Sequence, residues 1–277
     1  MHARRFRLGL AAIGALSVCA SAAAQNSENL PLWELGVFGL GLSQLAYPGS
    51  DQQVQRGLVV PYFIYRGQFL RADRGSAGLR AIKTDTLEVD VGFAGAFGSS
   101  SDDIKARQGM SDLGTLVEFG PRIKWQLGTD ATGGRWRLEL PVRGVFDLSD
   151  GASRRGTSFE PELNVQWRPP GRAQYSLSLS SVIGDQRLAQ TFYGVSSSQA
   201  TSARPAYAAQ SGLMAWRLAG TYSRSLGPDW RVFTYARMES VAGSANEASP
   251  LIRKNSGLTA GIGLSYTWLR SSRGARD

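Results

Sequence analysis

Residues 87–97 read Leu-Glu-Val-Asp-Val-Gly-Phe-Ala-Gly-Ala-Phe. Leu87, Val89, Val91, Phe93, Gly95 and Phe97 take the odd positions; Glu88, Asp90, Gly92, Ala94 and Ala96 take the even ones. A strict period of two sends successive side chains to opposite faces, which is the mark of a β-strand. Outward along the chain the pattern recurs. Val117, Phe119, Ile123, Trp125 and Leu127 interleave with Glu118, Gly120, Arg122, Lys124 and Gln126. Trp136, Leu138, Leu140 and Val142 interleave with Arg135, Arg137, Glu139 and Arg143. Phe159, Leu163, Val165 and Trp167 interleave with Glu160, Glu162, Asn164 and Gln166. Leu258, Ala260, Ile262, Leu264, Tyr266 and Trp268 alternate with Gly, Ser and Thr.

Two kinds of sheet alternate in this way. A secreted soluble sandwich has shorter strands whose apolar faces meet in a core. Here the strands run about ten residues or more, and Trp33, Trp125, Trp136, Trp167, Trp230 and Trp268 recur toward their ends, as expected of outer-membrane strands with aromatic girdles. In lipid every backbone N–H and C=O needs an internal partner, which strands obtain only in a closed barrel. The expected fold is therefore all-β, a transmembrane antiparallel up-and-down β-barrel. No later stretch approaches a membrane-spanning helix in length.

Strands are expected near 33–46, 56–65, 68–74, 78–83, 86–97, 113–127, 135–148, 157–167, 173–183, 211–226, 229–240 and 256–268. Short turns such as Gly227-Pro228 mostly alternate with long polar connections such as 98–112, 184–210 and 241–255. Twelve strands place both ends in the periplasm; merging 68–74 with 78–83 would give ten. Pro121 and Pro141 each lack a ladder donor, so a bulge or an unpaired donor is expected there.

The first residues read as an address. Arg4, Arg5 and Arg7 precede an apolar run from Leu8 to Ala20, and Ala22-Ala23-Ala24 fits cleavage before Gln25. Cys19 follows Val18, where a lipidation signal wants a small residue. The expected division is a signal peptide at 1–24, a barrel at 25–268 and a basic tail at 269–277. Removing 1–24 takes away three Arg and no acid, so the net charge falls from +9 to +6. It also takes His2 and Cys19, the single His and the single Cys. The mature chain then has no Ser-His or Cys-His catalysis, no His-ligated metal and no disulfide. No enzyme, catalytic residue, cofactor or metal site is expected.

Other features read as structure. Tyr47-Pro48-Gly49-Ser50-Asp51 has tight-turn chemistry. Asp102-Asp103 lacks the dense oxygen spacing of a calcium loop. Glu88, Asp90, Glu118, Arg122, Lys124, Arg135, Arg137, Glu139, Arg143, Glu160 and Glu162 are expected to form a mixed-sign charge network in the lumen, filling a narrow barrel with paired groups. The basic excess is spread over strands and tail without a nucleic-acid motif, so no nucleic-acid partner is expected.

Several segments, in order, resemble the MltA-interacting protein (MipA/OmpV) family. They are Tyr47–Asp51, Pro61-Tyr62-Phe63-Ile64-Tyr65-Arg66-Gly67, Asp112-Leu113-Gly114, Glu118-Phe119-Gly120-Pro121, Phe192-Tyr193-Gly194-Val195-Ser196 with Gln199-Ala200, Pro205-Ala206-Tyr207, and Gly261–Tyr266. The resemblance implies an outer-membrane barrel in contact with membrane lipids. It also implies a scaffold linking a murein synthase and a lytic transglycosylase. Alternatives are a small porin or solute channel, and a surface adhesin acting through 184–210. One departure is that Trp268 is followed by Leu-Arg-Ser-Ser-Arg-Gly-Ala-Arg-Asp, where such barrels usually end on an aromatic residue.

Overall fold

The computed structural model describes residues 31–66, 70–73, 76–79, 82–96, 98–171 and 173–274. The expected signal peptide and residues 275–277 of the tail lie outside them. The strand segments are β1 (Trp33–Leu45), β2 (Gln53–Arg66), β3 (Leu70–Asp73), β4 (Ser76–Leu79), β5 (Ile82–Lys83), β6 (Leu87–Ala96) and β7 (Leu116–Thr129). They continue with β8 (Arg135–Asp147), β9 (Ser153–Phe159), β10 (Glu162–Trp167), β11 (Ala173–Gly184), β12 (Gly212–Ser225), β13 (Trp230–Ser240) and β14 (Ser256–Arg270). One helix, α1 (Gln186–Tyr193), stands between β11 and β12.

All pairings are antiparallel. The sheet runs β4-β3-β2-β1-β14-β13-β12-β11-β10-β8-β7-β6-β5, with β9 bridging β8 and β11. Its two ends, β4 and β5, are adjacent in sequence, and β4 lies against β6, so the sheet closes on itself. β9 and β10 also form one strand: both pair with β8 and β11, and they part where Glu160 and Pro161 interrupt the ladder. With β4 and β5 also counted together, as the segment expected at 78–83, the barrel has twelve strands, as the alternation predicts.

Of the two outcomes expected at the prolines, a bulge or an unpaired donor, no bulge stands at their own positions. Phe119 pairs with Gly144 and Arg122 with Pro141 in one unbroken register, and the two rungs between them are missing. There the backbones close in, and a Cβ on Gly120 would collide with the Val142 carbonyl. The bulge in this pair lies further along, between Gln126 and Gly128.

One end of the barrel carries the turns 84–86, 130–134, 168–171 and 226–229; the other carries 46–52, 98–115, 148–152, 185–211 and 241–255. In outer-membrane barrels the short turns are periplasmic and the long loops external. The outward face is a belt of exposed apolar side chains that includes Val59, Ile123, Leu177, Leu218, Ile262 and Leu264. The six tryptophans singled out in the sequence all stand at the turn end of their strands. Trp230 meets Tyr266 in a tilted contact at 4.7 Å, and Trp167 stacks on Tyr175 at 5.6 Å. The girdle is thus one-sided; of the seven tryptophans only Trp216 sits near the loop end. In the 130–134 turn Asp130 accepts from Trp136 Nε1 at 2.7 Å and from the Thr132 and Gly134 amides. These donors hold its carboxyl down at about 2.

Candidate functional site

Two assemblies fill the barrel. The first is the inner wall from β6 to β13. Arg122 grips Asp90 with Nε at 3.0 Å and Nη2 at 2.8 Å, and its Nη1 reaches Glu139 at 3.1 Å. Lys124 lies 2.7 Å from Asp90 and 3.1 Å from Glu88. Arg137 lies 2.7 Å from Glu139. Further round, Arg143 stands 3.4 Å from Glu160 and 3.7 Å from Glu118. Arg217 then joins Glu160 at 2.8 Å to Glu239 at 2.7 Å.

The register makes these contacts. Asp90 is opposite Arg122, Glu88 is opposite Lys124, and Arg217 is opposite Glu239. Opposed charges on facing rungs are within side-chain reach. Of the expected residues, Glu88, Asp90, Glu118, Arg122, Lys124, Arg137, Glu139, Arg143 and Glu160 come together. Arg135 is exposed at the turn end of β8 and joins no ion pair among the described residues. Glu162 faces Glu139 and Ser180 across the ladder without a hydrogen bond or ion pair among the described residues. Arg217 and Glu239 were missed, although strands expected at 211–226 and 229–240 bring Arg217 opposite Glu239 once paired by their short turn.

The charged wall is only part of the lining. On β1, β2 and β13, Phe38 and Phe233 are buried edge to face, with centroids 5.8 Å apart, and Leu40, Leu58, Val60 and Tyr62 pack around them. The lumen therefore has an ionic side and an aromatic side.

The second assembly is at the loop end. Tyr47, Ile104, Leu113, Val195 and Leu251 come from four different loops and are buried together. A neighbouring cluster joins Leu188, Ala189 and Tyr193 of α1 to Val145, Val182 and Met214 of the barrel rim. Helix α1 forms because Asp185 caps it, accepting from the Leu188 amide at 2.8 Å, and because Leu188, Ala189 and Tyr193 share its inner face.

Polar bonds cross between the same loops. Tyr47 Oη donates to the Leu251 carbonyl at 2.7 Å, and Ser249 Oγ donates to the Tyr193 carbonyl at 2.7 Å. Asn246 donates to the Gln210 carbonyl and accepts from the Gln210 amide, both at 2.8 Å. Arg204 donates to the carbonyls of Ala106, Gln108 and Gln199. Burial pushes the Tyr47 hydroxyl up to about 12 and raises that of Tyr193. Gly49 adopts φ +86° in the turn that the Pro-Gly pair implies. The loops thus fold onto one another across the mouth, where the sequence reading expects separate polar loops. Tyr47, Phe192, Tyr193, Val195 and Tyr207, quoted above for the family resemblance, all pack in this plug. The Asp102-Asp103 pair is exposed beside it.

A closed antiparallel barrel, a lipid-facing belt, a tryptophan ring at the turn end and a packed loop end together define an outer-membrane β-barrel protein. The chain belongs to the family described as MltA-interacting protein MipA, which matches residues 35–268. A search of the curated proteins finds no match. Solved structures with some likeness include a bacterial polysaccharide outer membrane secretin (9% identity, 87% of this chain and 99% of that one, TM-score 0.40). OmpT of Vibrio cholerae is similar at 8% identity, over 89% of this chain and 100% of that one, with a TM-score of 0.37.

Proposed function

We propose that this protein is a non-catalytic scaffold of the outer membrane, holding a murein synthase and a lytic transglycosylase near one another at its periplasmic face. The observation that carries the reading is the match to the MltA-interacting protein family over residues 35–268. The shape of the molecule supports it. The loop end is occupied by its own side chains, while the turn end offers short, polar turns on a rigid ring. Arg135 is exposed at that end, and Arg270 is anchored there by Asp229 and the Pro228 carbonyl. The mechanism is surface contact without bond chemistry. In the same reading, residues 1–24 are removed on export and 269–277 form a basic extension of the barrel.

Photo-crosslinkers at Ala131, Pro170 and Pro228, placed in living cells, test the proposal. Capture of a murein synthase or a transglycosylase is the expected result. Capture of neither from all three positions would sink it. N-terminal sequencing of the protein taken from outer membranes checks the cleavage, with Gln25 expected as the first residue.

A second reading, a small solute channel, is favoured by the ionic wall of the lumen. It predicts single-channel conductance of the folded protein in planar bilayers, and silence at all voltages would rule it out.

A further inference from the structure

Outside the plug lies a groove of about 970 Å³, within the usual range for small-molecule sites. It is walled by residues 107–114 of a long loop, by the start of β9 and by α1. Four arginines line it: Arg107, Arg154, Arg155 and Arg187.

Three carboxylates line it too, and each is already engaged. Asp147 holds Arg155 at 2.8 Å, Asp112 accepts from the Ser101 amide at 2.6 Å, and Asp185 caps α1. Among the described residues Arg154 reaches only the Thr157 hydroxyl, at 2.8 Å. Arg187 is exposed at the first turn of α1, and its side chain joins no hydrogen bond or ion pair among the described residues.

Behind them the charge is buried. Arg107 is 4% exposed; its Nη1 and Nη2 donate at 3.3 Å to the carbonyls of Phe192 and Ser111, and its Nε has no partner. Arg204 is 9% exposed and bonds only carbonyls. Neither forms an ion pair with a carboxylate among the described residues. A guanidinium does not shed its proton in a protein, and buried charge without a counter-charge is costly. The Tyr47 ring, 5.8 Å from Arg107, offsets part of this through its π face. Burial and the neighbouring Arg204 press the Arg107 guanidinium toward its neutral form, against the smaller pull of Asp112. An anion in the groove would relieve this imbalance.

We propose that this external groove binds a phosphorylated saccharide, with Arg154 and Arg187 holding the phosphate and Gln186 meeting sugar hydroxyls. Phosphate fits because two guanidinium forks can grip its oxygens bidentately. A sugar fits because the wall near those forks is amide and hydroxyl, from Gln186, Gln190, Thr191 and Gln199. The ligand's source is either the phosphosugar head of a lipid in the outer leaflet or a free sugar phosphate. The groove lies on the face opposite the turns, so its failure and that of the scaffold reading are distinguishable.

The test uses the full chain, folded in nanodiscs. Titration with glucose 6-phosphate should show binding, and neutral glucose should not. The paired variant Arg154→Gln/Arg187→Gln should weaken binding about tenfold or more, the scale of one charge-assisted hydrogen bond. An unchanged circular-dichroism spectrum establishes that the variant is folded. Nanodiscs with lipid A, compared with phosphatidylcholine alone, separate the two sources: loss of the glucose 6-phosphate site in lipid A discs assigns the groove to the lipid head, and its persistence to a free ligand. Equal binding of glucose and glucose 6-phosphate would overturn the proposal. So would an unaffected double variant, or a groove that takes up neither glucose 6-phosphate nor lipid A.

Discussion

The ionic wall and the loop plug solve the same problem, burial inside a barrel, in opposite ways. On the wall, polar side chains are set by strand register, and each rung presents a charge to its opposite number. In the plug, apolar side chains from four loops meet without any ladder, and the polar bonds between them mostly run to backbone carbonyls. The wall is therefore as rigid as the sheet that carries it. The plug depends on its own packing, and it can loosen while the barrel stays closed.

That contrast can be broken most strongly at Arg122. Replacing it by Met removes the cation shared by Asp90 and Glu139 and leaves each with one partner among the described residues, Lys124 and Arg137, so the cost is expected below the roughly 3–5 kcal/mol of a fully broken buried pair. A fall in the denaturant midpoint of the barrel is expected, with the loop protease pattern unchanged; a variant as stable as the parent would show the wall to be hydrated. Leu251→Ala should act on the other side. Truncating this fully buried side chain costs about 2–5 kcal/mol. Amide exchange should then quicken in 185–211 and 241–255 while the strands keep their protection. Equal acceleration in the strands would mean that the two regions unfold as one.

Tyr47→Phe is a finer probe. It strands the Leu251 carbonyl and should cost about 1–3 kcal/mol, again read in loop exchange. The smallest effect is one of pH. The Tyr47 hydroxyl is raised in the folded plug to about 12 from an ordinary value of 10.0, so the folded form holds its proton more tightly. Its contribution is complete below about pH 10 and is lost as pH rises toward 12. Loop proteolysis should increase across that window in the parent and not in Tyr47→Phe; the same increase in both would assign the change to another group.

How far each region could be read from sequence follows from the same contrast. Leu87–Phe97 and its fellows carry a period, so the sheet, its strand count and most of the wall were legible. The strand expected at 157–167 starts earlier, at Ser153, because Gly156 at φ +139° lies at a register shift that hides the alternation of its first residues. The plug has no period. Tyr47, Ile104 and Leu251 lie far apart in sequence, among polar residues, and only folding brings them together. Helix α1 is two turns long, too short to announce itself against its polar surroundings. The one clue to the plug was the run of aromatic motif residues inside loops, where solvated loops have little use for rings.

The seam between β1 and β14 sets the order of assembly. Glu34 pairs with Arg270 and Ser43 with Ala260, and beyond them the Leu32 amide donates to the Arg273 carbonyl at 2.8 Å. Neighbouring hairpins can form as soon as their own turns are made, but this ladder joins segments more than 200 residues apart. Loop closure on that scale is slow. Until it happens, the growing sheet carries two open edges, each able to template another chain. Closure therefore waits for β14 to meet β1, and a chain held before that step stays open to edge-to-edge aggregation.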